Sequence, residues 1–284
     1  MRTIYFMLSL GLLSVSTAAI FARFLPDLPA FTIAFWRLSI ASFLLWSYSS
    51  LRVKKTPVGQ VKKIIMAGIA LGLHFACFFQ ALKLTTIANA TLFATMAPVF
   101  TFLYELLTPH RLAQRQAMGL LLAISGSLII QGGDWHAGHY YLAGNLLALA
   151  ASLFMAVVLI LGRQIRSTTS TVAFTRWLYS YAALVLLLLV AITKAPLLPI
   201  DHSDYIWLLA LGLVPTLVGH NSLNYAVKYL SPTAVAAVPL GEPVGASLLG
   251  WLIFSEAVPV TTMLGGLVVL IGVFFVLQKD RRNT

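Results

Sequence analysis

Ten runs of about twenty mostly apolar residues, one after another with little between them, constrain this chain more than any other feature. They cover 4–23, 30–51, 64–83, 86–107, 115–131, 142–162, 171–193, 205–227, 232–254 and 261–278. A helix rises about 1.5 Å per residue, so ~20 residues match the ~30 Å hydrocarbon core of a bilayer. A soluble domain carries roughly a quarter charged residues. Here only 10% are charged and 60% are hydrophobic, with a mean hydropathy of +0.90, too little polar material to cover a water-facing surface. The fold class this predicts is an all-α polytopic membrane protein of ten transmembrane helices. Connections such as Lys83-Leu-Thr-Thr86 and Lys228-Tyr-Leu-Ser231 are so short that the helices they join return antiparallel. Residues 1–20 also match a secretory signal, with Arg2 before the apolar run and Ser16-Thr-Ala-Ala19 as a cleavage site. The many runs that follow, and the length of this one, favour a retained first helix.

A pI near 10.0 and a net charge of +11 would suit a nucleic-acid binder, yet the basic residues form no patch. They fall in short clusters between the apolar runs, the pattern of positive-inside topology. With the N-terminus inside, one set of connections holds fourteen Lys and Arg, the other only Arg23, Lys83 and Lys194. The poorer set carries Asp27, Asp134, Asp201, Asp204 and Glu256. Both termini are therefore expected in the cytoplasm, with the chain in the cell inner membrane. The single Cys77 allows no intrachain disulfide and no cysteine metal cluster. No cofactor, metal or nucleic-acid partner is expected; the partners are a small-molecule substrate, membrane lipids and, at most, a second copy in a homodimer.

The chain repeats itself. Ala81-Leu-Lys83 returns as Ala226-Val-Lys228, and Pro98 as Pro243, both 145 residues on. Gly119 and Gly126 are spaced like Gly265 and Gly272. The halves, 4–131 and 142–278, hold five runs each, with 279–284 as a cytoplasmic tail. An odd number of crossings inserts the second half upside down, an architecture typical of secondary transporters with a midplane site between the halves.

Four stretches carry a resemblance: Phe35-Trp-Arg37, Asn89-Ala-Thr-Leu-Phe-Ala-Thr-Met-Ala-Pro98, Asn224-Tyr-Ala-Val-Lys-Tyr-Leu-Ser-Pro-Thr233, and Glu242-Pro-Val-Gly with Phe254-Ser-Glu256. In order, spacing and duplication the chain resembles the drug/metabolite transporter superfamily, specifically its tandem EamA-type repeat proteins, over nearly its whole length. That resemblance implies ten helices, two inverted repeats around a central cavity, and export or exchange of small metabolites. One departure stands out. The family's Gly-Glu pair after the repeat proline is reduced to Ser255-Glu256 in the second half, and the first half has His110-Arg111 there.

Within the runs, the costly residues are the candidates for function. Glu242 lies between Pro239 and Pro243, each of which removes a helix hydrogen bond. Such breaks are tolerated in a membrane where neighbours or cavity water satisfy the freed carbonyls. A carboxylate there can bind a cation or take up a proton, so Glu242 is the proton-coupling candidate; as a protonated acid it would merely bond backbone carbonyls. Glu105 lies nearer the cytoplasmic end of its run and can pair with Arg111. Arg37, on a stripe with Ala30, Ala34 and Ala41, and Arg176, with Ala173, Ser180 and Ala183, point into the bundle. Either can clamp a carboxylate or phosphate, or snorkel to headgroups. His220 and Asn224 stand one turn apart below Pro215 and Gly219, with Tyr225 beside them. His74 and Cys77 share a face with Phe78, while Asn89, Thr91 and Thr95 decorate the fourth run with Phe93 among them. Singly, each polar group can serve only to bond another helix, worth ~1 kcal/mol or less. The aromatics Trp36, Phe78, Phe93 and Tyr225 can line a cavity or face lipid.

Other classes fit less well. An intramembrane protease needs paired Asp or a Ser–His dyad on facing helices; Gln131-Gly-Gly-Asp134 puts its Asp in an outer loop, and no HExxH helix occurs. A channel calls for rings of carbonyls or charges, and none is evident. The expected function is a secondary transporter, not an enzyme, exporting or exchanging small zwitterionic or anionic metabolites, amino acids first. Drug-like or nucleotide-linked substrates are the alternative. The expected cavity lies between spans three and four and spans eight and nine, with spans five and ten as packing helices.

Overall fold

The computed structural model describes residues 2–49, 58–85, 87–108, 113–131, 141–199, 201–255 and 257–278. The first half comprises α1 (Arg2–Arg23), α2 (Ala30–Ser49), α3 (Val61–Leu84), α4 (Ile87–Ala94), α5 (Ala97–Leu106) and α6 (Gln114–Gln131). The second comprises α7 (Leu142–Arg166), α8 (Thr171–Thr193), α9 (Asp204–Leu211), α10 (Asn221–Ala226), α11 (Pro232–Ala237), α12 (Glu242–Phe254) and α13 (Val260–Leu277). A wide π-helical stretch, Gly212–His220, joins α9 to α10, and a tight 3-10 turn, Val238–Gly241, joins α11 to α12. Among the described residues there is no strand. Arg52, Lys54, Lys55, His110, Arg111, Asp134, Glu256 and the 279–284 tail, all named above, lie outside the described residues.

Eight of these helical stretches are long and apolar enough to cross a bilayer: α1, α2, α3, α7, α8, 204–226, 232–254 and α13. The chain is a polytopic helical membrane protein. The fourth expected run is divided at Thr95-Met96, just before Pro98, because Pro98 has no N–H for the Ala94 carbonyl and its ring crowds that carbonyl. Pro243 stands in the same relation to the Val238–Gly241 turn. The fifth run, α6, opens on Gln114-Arg115-Gln116 and closes on Gln131, leaving a shorter apolar stretch. Large apolar side chains face outward all round, Phe43, Ile192 and Leu252 each about two-thirds exposed, as lipid contact requires.

The packing pairs elements of one half with elements of the other. α2 lies on α8, α5 on α11 and α6 along α13; α3 packs on α7, while α1 packs on the π stretch and α10. The α6–α13 contact brings backbones together. A Cβ on Gly126 would lie 2.6 Å from the Gly265 carbonyl oxygen, and one on Gly272 2.4 Å from the Ala123 nitrogen. Small residues at such a seam replace the hydrophobic drive that lipid does not supply. α6 and α13 thus stand aside as one closely packed pair, and the remaining helices surround the centre.

Candidate functional site

A cavity of about 110 Å³ occupies that centre, room for several waters. Every helix but α6, α9 and α13 contributes to its lining. The three interrupted helices meet there: Thr91, Ala94, Thr95 and Ala97 at the α4–α5 break, Pro215 and His220 in the π stretch, and Pro239 and Glu242 at the 3-10 turn. Backbone freed from regular helical bonding is tolerated at membrane depth where it borders such a cavity.

Arg37 projects into the cavity from α2 with only 3% of its surface exposed. Its Nε donates to the Thr216 hydroxyl at 3.1 Å, and its guanidinium lies 4.5 Å from the Phe75 ring centroid. The Thr216 hydroxyl in turn donates to the Leu211 carbonyl at 2.8 Å. That carbonyl lies four residues before Pro215, which has no N–H to give it; the wide turns and the threonine hydroxyl accommodate the deficit. Tyr179 is fully buried, its hydroxyl donating to Asn221 Oδ1 at 2.9 Å. Thr216 and Tyr179 therefore fix the π stretch to α2 and α8.

Glu242 stands in the first turn of α12, where unsatisfied N–H groups and the positive end of the helix dipole favour an anion. It lies deep in the bundle yet keeps some exposed surface, because it borders the cavity. Arg37 of α2 and Glu242 of α12 border the same cavity. The arrangement brings a cation and an acid to the lining of one space, able to receive the complementary groups of a ligand.

His74 is buried, and its Nδ1 lies 2.8 Å from the Ala151 carbonyl. A carbonyl only accepts, so Nδ1 carries the proton and Nε2 is left for another partner. The ring stacks parallel to Phe78, 6.3 Å between centroids, and His220 stands edge-on to Phe75 at 5.7 Å. Asn224 adds to the polar lining, and Leu71, Met155, Val158 and Leu159 supply apolar lining.

Of the residues singled out in the sequence, Arg37, His74, Phe78, His220, Asn224 and Glu242 come together here. Four others do not border the cavity. Arg176 lies 4.5 Å from the Trp46 ring and donates to the Ser49 hydroxyl at 3.1 Å, in the α2–α8 seam. Phe93 packs on the alanine cluster of Ala81, Ala90 and Ala148. Asn89 Nδ2 reaches the Thr85 hydroxyl at 3.5 Å, and Tyr225 leans on Tyr229 at 5.2 Å. Trp36 also turns away, its indole N–H donating to the Leu197 carbonyl at 2.7 Å. Sequence reasoning passed over Phe75, Tyr179 and Thr216. Thr216 had a detectable signal, a hydroxyl directly after an intramembrane proline; Phe75 and Tyr179 read as ordinary helix aromatics.

Among the described residues no group of three or more His, Cys, Asp or Glu could hold a metal ion. A crystal structure of another protein superposes with a TM-score of 0.84 over 99% of this chain and 98% of that one, at 20% identity, which establishes likeness of fold. The chain is 26% identical over 256 residues to the pseudopaline exporter CntI of Pseudomonas aeruginosa, covering 86% of this chain and 84% of that one. It is 23% identical over 289 residues to the uncharacterized transporter YdfC of Bacillus subtilis, covering 98% and 92%. The EamA-like transporter family model matches twice, over residues 2–131 and 142–278. The chain belongs to the EamA-like transporter family.

Proposed function

We propose that this protein is a secondary transporter of the inner membrane that moves a small zwitterionic or anionic metabolite outward, amino acids first, by alternating access. The observation that carries the reading is that Arg37 and Glu242 line one cavity, where three interrupted helices converge. Arg37 suits a carboxylate, since guanidinium stays charged and presents a planar fork. Glu242 suits an ammonium group or a proton, so export can be coupled to proton entry through the same carboxylate. The outward direction is supported by the relative that is named an exporter.

Two five-span halves of opposite insertion are part of the proposal. Support comes from the cavity lining, where Phe75 and His220, Phe78 and Leu223, Thr91 and Ala236, Ala94 and Pro239, and Ala97 and Glu242 all stand 145 residues apart. The excess of Lys and Arg in alternate connections supports cytoplasmic termini. Phe75, Phe78 and Tyr179 favour a second reading, a drug-like or nucleotide-linked substrate held on aromatic faces.

The test is flux in liposomes containing the purified protein, with amino acids, nucleotides and phosphorylated metabolites offered in turn. Saturable amino-acid flux accompanied by proton movement, both lost in Glu242→Gln, is the expected result. Unchanged flux and proton movement in that variant would reject the carboxylate's role, and flux confined to nucleotides or aromatic drugs would select the second reading.

A further inference from the structure

The turn between α10 and α11 is held by charged side chains whose partners are main-chain groups. Arg163, near the end of α7, donates to the Val227 carbonyl at 3.1 Å and to the Lys228 carbonyl. One turn on, Arg166 donates through Nε to the Asn224 carbonyl at 3.1 Å and through Nη1 to the Thr169 carbonyl. From the other side, Glu105 of α5 accepts the Thr233 backbone N–H at 3.1 Å. Cations therefore sit on the carbonyl end of α10 and an anion on the N–H end of the helix that follows, each matched to the local helix dipole.

Two features set this cluster apart from ordinary capping. Arg166 and Glu105 are 3% and 5% exposed, so both charges depend on these contacts for the solvation that burial removed. The cluster also holds an unsatisfied group: Thr169 Oγ1 is buried without a hydrogen-bond partner. Native interiors leave few such groups, and each calls for an explanation. An element that must exchange these contacts for others in a second state supplies one.

The turn is also joined to the cavity. Asn224 presents its side chain to the cavity while Arg166 holds its carbonyl, and Val235 and Ala236, just beyond Thr233, line the same space. α7 packs on both α5 and α11 at this end of the bundle, where α1 begins and α13 ends. Movement of the turn away from α7 and α5 would uncover the cavity from that end.

We infer that the α10–α11 turn is the gate at the end of the bundle carrying both termini, latched shut in this conformation by Arg163, Arg166 and Glu105. The inference rests on the alternating-access reading above and adds to it the contacts that hold one side closed. Release is concerted, because freeing the turn exposes Arg166 and Glu105 to water together. Arg163, already exposed at the rim, is the contact that yields first.

The test uses the full-length protein in sealed membrane vesicles of both orientations, with Cys77→Ala removing the native thiol and Ala236→Cys placing one in the cavity wall. The rate of modification by a membrane-impermeant maleimide is read from each face. With the latch intact, the thiol should react from the face opposite the termini and hardly at all from the terminus face. Arg163→Gln, at an exposed position that leaves the core untouched, should raise the terminus-face rate by about threefold. Glu105→Gln with Arg166→Ala should raise it by at least about tenfold, and Arg166→Lys should restore most of the protection. Terminus-face rates unchanged in all variants, with labelling from the opposite face retained, would show the contacts to be helix caps alone and leave the transporter reading standing. A thiol unreactive from both faces in every variant would overturn the latch and the alternating-access reading together.

Discussion

The α6–α13 seam and the central cavity are two opposite ways of joining helices in lipid. Along the seam the helices are continuous and their backbones touch across Gly119, Gly126, Gly265 and Gly272. Around the cavity three helices are interrupted, and Arg37, Glu242, His74 and Asn224 line it with polar side chains. Neither arrangement can do the other's work. A seam of backbones in contact has no room for ligand or water, whereas the elements around the cavity leave such room between them. With the cavity proposed as the transport site, stability and transport belong to different regions, and substitutions can separate the two.

The largest expected effect is at the seam. Gly126→Leu drives a side chain into the Gly265 carbonyl and the Val269 nitrogen, backbone atoms that cannot rotate aside. Overpacking of this kind costs about 3 kcal/mol or more, so the variant should lose its folded, monodisperse state in detergent. A stable Gly126→Leu protein with normal flux would remove the seam's structural role.

Glu242→Gln is expected to do the reverse. The thermal midpoint should stay close to that of the parent while flux falls by about tenfold or more, equivalent to ~1.4 kcal/mol of lost coupling or binding. The matching position in the other half is Ala97, so no second carboxylate stands there to take over.

Thr216→Val removes the hydroxyl that orients Arg37 and serves the Leu211 carbonyl. A hydrogen bond to a charged group contributes about 1.5–3 kcal/mol, so apparent substrate affinity should weaken by about tenfold. Thr216→Ser keeps the hydroxyl and should recover it; equal loss in both variants would point to packing at the π stretch instead.

The smallest effect is expected for Phe93→Leu, which alters an alanine-lined contact away from the cavity. Flux should change by less than about twofold and stability by about 1 kcal/mol. A large loss of flux with stability retained would bring Phe93 into the site after all.

How far the site could be read in advance depended on the kind of signal. Arg37 and Glu242 stood out because charge inside an apolar run is costly wherever it faces. His220 and Asn224 were legible through their spacing below Pro215, which places both on one side of a helix. Arg176 carries the same cost as Arg37 and sits on a similar stripe of small residues, yet it meets Trp46 and Ser49 instead of the cavity. Spacing along α8 could not distinguish these outcomes, because both lie on the buried side. Tyr179 and Phe75 gave no warning, since an aromatic residue in a membrane helix has the same pattern in lipid, in packing or at a ligand.

Helical content, membrane residence, the break in the ninth span and the family all follow from the order of residues. Hydropathy, proline and glycine act over one or two turns of the chain that carries them. Which buried face meets which neighbour was settled only by tertiary packing. It brought Glu242 of α12 to the same cavity as Arg37 of α2, and Glu105 of α5 onto the first turn of α11. Those pairs join segments more than a hundred residues apart, and the helix rotations that make them depend on all the contacts at once.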